Sequence, residues 1–146
     1  MKIKKYLSQI DKIFINGQNF SLLIVRFILA YGFYEPALTK WKDIGSVAAW
    51  FSEMNIPLPL FTAYMVASFE IAGVILLIIG FIVRWISIPL LSIMIVAIFT
   101  VHWENGFAAS NNGFEIPLYY IAYLLVLITF GAGKFSIDFF LEKNKI

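Results

Sequence analysis

Residues 60–83 read LFTAYMVASFEIAGVILLIIGFIV, and Glu70 is the only charged side chain among them. The run exceeds the roughly 20 apolar residues that carry a helix across the hydrocarbon of a bilayer. On either side of it, residues 20–39, 85–101 and 116–130 form three further apolar blocks. The chain of 146 residues is 61% hydrophobic and 14% charged, against about half apolar and about a quarter charged in soluble domains. That excess is too large for a buried core, and it is gathered into blocks. No stretch between them is long enough for a separate soluble domain. The predicted fold is all-α: an integral membrane four-helix bundle, one domain over residues 1–146.

The basic residues are unevenly placed. Lys2, Lys4, Lys5 and Lys12 precede the first span, Arg84 lies between spans two and three, and Lys134, Lys143 and Lys145 follow the fourth. The two remaining loops hold only Lys40 and Lys42, both beside Asp43. Lysine and arginine favour the cytoplasmic side. Both termini and the 83–85 link are therefore expected in the cytoplasm, and the 40–59 and 102–115 loops outside. No cleavable signal peptide is expected, because the first span carries Arg26 and Glu35 and no small-residue cleavage site follows it. The chain has no cysteine, which excludes disulfides, thiolate metal sites and cysteine nucleophiles within it. Phosphate loops, Ser/His/Asp sets and nucleic-acid patches are absent. The lipid bilayer is the first partner, and no nucleic acid is expected.

Residues 1–19 mix lysines with Tyr6, Leu7, Ile10, Ile13 and Phe14. They fit a short helix on the inner surface or, equally, a frayed tail. Span one ends in Tyr34-Glu35-Pro36, where proline removes a helical hydrogen bond and kinks the helix. In the first outer loop Val47, Trp50, Phe51 and Met54 fall at i, i+3, i+4, i+7, the pattern of a short amphipathic helix lying flat. Asn55-Ile56-Pro57-Leu58-Pro59 stops it. Ala63, Ala67, Ser68, Ala72 and Gly73 let span two pack closely on a neighbour. Asn111-Asn112-Gly113 marks a turn, and Glu115 is set by the N-terminus of span four, whose dipole favours an anion.

Ionisable groups inside spans are costly and point to function. Here they are Arg26, Glu35 and Glu70, with His102 at the outer end of span three. Arg26 and Glu35 are nine residues apart and fall on opposite sides of one helix. Glu70 is the expected partner of Arg26, either as a tie between spans one and two or as part of a ligand or proton site. Glu35 stands one turn from Tyr31 and within reach of Lys40 or His102. Glu35, Glu70 and His102 are expected to converge on a polar cavity open to the outer face, lidded by the 47–54 helix and floored by Arg26; Tyr31, Lys40 and Glu115 are secondary candidates. With one histidine and no cysteine, no metal site is expected within the chain.

Six short pieces in order resemble the DoxX family of small four-helix membrane proteins. They are Leu23-Ile24-Val25-Arg26-Phe27 with Lys40-Trp41, Trp50-Phe51, Ile56-Pro57-Leu58-Pro59, Phe69-Glu70-Ile71-Ala72-Gly73-Val74, Ala97-Ile98-Phe99-Thr100-Val101-His102-Trp103, and Gly131-Ala132-Gly133-Lys134-Phe135-Ser136-Ile137-Asp138. The 30–36 and 111–117 stretches resemble the HvfX-type branch, which accompanies small metal-responsive modified peptides. The resemblance implies a bacterial inner-membrane location and maps the family's Arg, Glu and His onto Arg26, Glu70 and His102. It also implies a membrane component of a redox or quinone-linked system, since some relatives are the membrane subunit of a thiosulfate:quinone oxidoreductase. On that reading quinone is the cofactor and a membrane or soluble redox protein the partner. Two other readings stay open. One is a transport subunit for a small solute, proton or metal, working as a homo-oligomer; the other is a non-catalytic membrane scaffold.

Overall fold

The computed structural model describes the backbone of residues 2–144, and side chains from Phe14 onward except Asn16. The described residues are helical with no strand. The elements are α1 (Lys2–Lys42), α2 (Ile44–Glu53), α3 (Pro59–Ile79), α4 (Val83–Ala97) and α5 (Glu115–Phe130), with a short α6 (Ile137–Lys143) after them. Between α4 and α5 the chain forms a π-helical turn (Ile98–His102) and two 3-10 turns. Three segments are long and apolar enough to cross a membrane: Gly17–Lys42, Pro59–Ile79 and Val83–Asn105. Glu115–Phe130 is apolar but only 16 residues long, or about 24 Å of helix. The backbone of residues 2–19 is neither a separate surface helix nor a frayed tail; it continues α1 without a break. Side chains 1–13 lie outside the described residues.

Asp43 decides the sharp turn after α1. Its carboxylate accepts from the Ser46 backbone N–H at 3.0 Å and from the Ser46 hydroxyl at 2.6 Å, capping α2 one residue after α1 ends. Those two bonds hold the Asp43 carboxyl below the usual carboxylate range. The inward face of α2 is Ile44, Ala48 and Phe51, packed on Ala63 and Ala67 of α3. Val47 and Met54 flank that cluster, whereas Trp50 is exposed and borders the cavity described below instead of packing on the alanines.

The other core joins α1, α3, α4 and α5. It holds Leu22, Leu29 and Phe33 of α1, Val74 and Leu77 of α3, Val83, Ile86 and Leu90 of α4, and Leu124 and Leu127 of α5. On α3 and α4 these positions flank the Gly80–Ile82 link, so the packed half of the molecule is the half near that link. Gly80 takes φ +72° and its N–H donates to the Leu76 carbonyl, ending α3. Ile82 also takes positive φ, +44°, an uncommon state for a β-branched residue, costing about 1–2 kcal/mol. Asp138 compensates from the far end of the sequence: its carboxylate accepts from the Ile82 N–H at 2.7 Å and the Val83 N–H at 3.1 Å. The cap of α4 thus comes from a distant segment of the chain.

Candidate functional site

Arg26 is 1% exposed, and its four hydrogen bonds all go to backbone carbonyls. Nε donates to Leu77 O at 2.8 Å and Nη2 to Ile78 O at 2.9 Å; Nη1 donates to Ala132 O and Phe135 O, each at 2.8 Å. Leu77 and Ile78 are at the end of α3, where the last carbonyls of a helix lack intrahelical partners and attract a cation. The guanidinium thus binds the end of α3 to the segment after α5. The expected Arg26–Glu70 pair does not form, and Arg26 is not the floor of a cavity.

Glu70 pairs with Lys40. The ammonium donates to Oε1 at 3.0 Å and to Oε2 at 2.8 Å. The carboxylate side is 2% exposed and the lysine 19%. Lys40 stands in the last turn of α1, and Trp41 beside it donates from Nε1 to the Ala67 carbonyl of α3 at 3.1 Å. That bond fixes the rotation of the α1 end and turns the Lys40 stem toward Glu70, one turn further along α3.

Both residues border a cavity of about 590 Å³. Its wall is mainly apolar and aromatic, with Phe33, Trp50, Phe51, Phe69 and Tyr120 contributing rings. Trp50, Phe51 and Met54 come from α2 and its end, so this helix covers one side of the space. Gly32 explains how Tyr120 reaches the interior: a Cβ at position 32 would overlap the tyrosine hydroxyl. His102 closes another side from the π-helical turn. Its Nδ1 lies 2.7 Å from the Asn112 carbonyl. A carbonyl only accepts, so Nδ1 carries the proton and Nε2 keeps its lone pair when the ring is neutral.

Of the four residues expected to share a cavity, Glu70 and His102 border this one. Glu35 is exposed and does not line the cavity; it borders an adjoining groove with Thr39 and Val47 that shares Pro36, Lys40 and Trp50 with the cavity. Tyr31 is 84% exposed and borders neither. Glu115 braces the second loop, accepting from the Ala109 N–H at 2.9 Å and the Tyr119 hydroxyl at 3.1 Å. The wall is apolar rather than polar. Its charged chemistry is one neutralised ion pair.

The DoxX family pattern matches residues 21–103, which carry α3, α4 and both partners of the ion pair. The chain belongs to the DoxX family. An uncharacterized protein of Haemophilus influenzae is 36% identical over 135 residues, covering 87% of each chain. No solved structure matches this DoxX protein. The matched region ends at Trp103, so Tyr120, Ala132, Phe135 and Asp138, which complete the site and the Arg26 junction, lie beyond it.

Lys40 and Tyr120 are the residues that sequence reasoning undervalues. Lys40 reads as a loop residue because counting from the apolar edge puts it at the outer rim. The signal for Tyr120 is Gly32, a glycine inside an apolar helix.

Proposed function

We propose that this DoxX protein binds a lipid-soluble molecule with a hydrogen-bonding head, of the quinone class, as a membrane component of a redox system. The observation that carries this reading is the setting of the Lys40–Glu70 pair. A buried ion pair faces a mainly apolar space of about 590 Å³ with a half-buried histidine on its border. Ligand sites of this size are commonly apolar with a few placed polar groups. Aromatic and methionine side chains suit a ring. Lys40 holds a donor beyond the two given to Glu70, the Tyr120 hydroxyl is a further donor, and His102 Nε2 and the Glu70 carboxylate accept protons. A quinone bound there would supply two-electron, two-proton chemistry, with the electrons delivered by a partner redox protein. The chain's own part is to hold the head group, exclude water from it and move protons at Glu70 and His102.

The geometry disfavours a conducting path. Below the cavity the helices close on Leu77, Leu90, Leu124 and Leu127, all fully buried, and Arg26 is bound to carbonyls rather than lining a channel. The 30–36 and 111–117 stretches support placement in the HvfX-type branch, which ties the redox reading to metal-responsive peptide pathways.

Ligand binding is the direct test. Saturating decyl-benzoquinone, at about 100 times its Kd, should stabilise the detergent-solubilised protein by about 2.7 kcal/mol. His102→Ala should weaken the midpoint about tenfold, the worth of a single good polar contact. No stabilisation at any concentration, or equal stabilisation of an Ala97→Trp variant whose indole occupies the cavity, would refute the reading.

We further propose four crossings of the bacterial inner membrane with both termini cytoplasmic. The charge distribution supports the orientation. The Arg26 junction supports the fourth crossing, because the chain just after α5 meets the end of α3 beside the α3–α4 link; α5 therefore returns the full length of α4. In intact cells an impermeant thiol reagent should label Ser110→Cys and leave Lys143→Cys unlabelled. Labelling at position 143 would mean an odd number of crossings or the opposite orientation.

A further inference from the structure

Helices α3 and α4 are joined by the Gly80–Ile82 link and pack closely near it: a Cβ on Gly73 would meet Leu90 Cδ1 at 2.8 Å. Beyond Gly73 on α3 and Leu90 on α4, no fully buried residue of the two cores joins these helices to each other; the partly buried Ala72, Leu91, Ile93 and Met94 still pack against the first core, and Ile93 and Met94 also line the cavity. Residues of both helices border the cavity and are also open to the outside. On α3 they are Met65 and Phe69, 41% and 36% exposed. On α4 and its continuation they are Ser92, Val96 and Thr100, with Val96 50% exposed. Within each set the residues are four apart, so neighbours stack about one turn from each other and the set forms a seam that winds slowly round its helix. Two such seams facing one space define a slot.

The chemistry of the slot is that of a hydrocarbon passage. Its hydroxyls are turned back on their own helix. Ser92 donates to the Ile88 carbonyl at 3.1 Å and Thr100 to the Val96 carbonyl at 2.8 Å. They therefore present carbon to the gap and leave no donor unsatisfied, as a surface in contact with lipid requires. The π-helical turn Ile98–His102 sits at the outer end of the same seam, an irregularity that often marks a functional position. In a membrane-embedded helix pair the space outside such a slot is the acyl region of the bilayer.

We propose that the cavity is loaded sideways from the outer leaflet through the α3–α4 slot, and that the ligand's apolar tail stays lodged between Met65, Phe69, Ser92 and Val96. The occupant is an amphiphile whose head lies by Lys40, Glu70 and His102 and whose linear tail points into lipid. This rests on the ligand-binding reading above and adds the route and the tail.

The test uses two probes in nanodiscs: decyl-benzoquinone, and the same benzoquinone ring with no tail. Val96→Trp and Met65→Trp narrow the slot from opposite walls, and neither residue hydrogen-bonds to the ion pair. Each should weaken the decyl probe at least about tenfold, the equivalent of roughly two methylenes no longer buried, and leave the tailless probe unchanged. A ligand whose tail lies elsewhere would bind equally well to wild type and to both variants, which would overturn the slot and spare the cavity. Equal weakening of both probes would also overturn it, by showing that these residues shape the head site. Failure of wild type to bind either probe would overturn both readings together.

Discussion

Arg26→Leu should leave little folded protein, with an expected loss of about 5 kcal/mol or more. The guanidinium is 1% exposed and makes four hydrogen bonds to carbonyls on two separate segments. Bonds to a charged group contribute roughly 1.5–3 kcal/mol each, and carbonyls left buried without a donor add a further penalty. Inside a bilayer there is no water to replace them. The conservative change is informative. Arg26→Lys keeps the charge but offers a compact ammonium with three donors instead of a planar fork with five. It cannot span Leu77, Ile78, Ala132 and Phe135 together, so it should recover less than half of the loss. Unfolding in mixed detergent micelles measures both. Arg26→Lys within about 0.5 kcal/mol of wild type, the ordinary range for a surface change, would show that charge rather than geometry holds this junction.

The second large effect belongs to the ion pair. Lys40→Met leaves Glu70 as a buried carboxylate without its cation, and Glu70→Met leaves Lys40 facing an apolar wall. Removing one partner of a buried pair costs about 3–5 kcal/mol in soluble proteins, whereas an apolar replacement of both is often neutral. The two single variants should each lose about 3 kcal/mol. Lys40→Met with Glu70→Met should lose clearly less than the sum, with a coupling of about 2 kcal/mol. Strict additivity would mean that the 2.8 Å contact contributes nothing. Coupling between Arg26 and Glu70 should be near zero, since the two share no hydrogen bond.

Much of the fold is legible in the sequence because the bilayer imposes a length and a polarity on each crossing. Residues 60–83 announce α3 by composition alone, and Asn55 to Pro59 fix where α2 must end. The shared site is only half legible. Glu70 and His102 stand out because charge and imidazole are rare in such a chain. The partner of Glu70 escapes a count of depth along each helix separately; Trp41 and Asp43 set how deep the end of α1 sits beside α3, and that is a tertiary matter. Arg26 misleads for a different reason. A search for opposite charges finds carboxylates, but its ligands are main-chain carbonyls, which have no letter in the sequence. Gly80 and Gly131, which end α3 and α5, are the available hint. Glu35 draws attention through Pro36 beside it, yet its side chain is exposed. The apolar cavity itself has no sequence signature, since its lining residues have the same composition as any helix–helix contact.

A mass measurement tests the binding of a lipid-soluble ligand beside Lys40 and Glu70 most directly. The protein purified in mild detergent from its native membrane, and the Ala97→Trp variant prepared in parallel, are sprayed intact and their bound small molecules released and weighed. Wild type should carry one lipid-soluble molecule of defined mass per chain, with a redox-active ring in its fragmentation pattern, and the variant should carry none. Wild type arriving at the bare mass of the polypeptide, or both proteins carrying the same molecules in the same amounts, would contradict it.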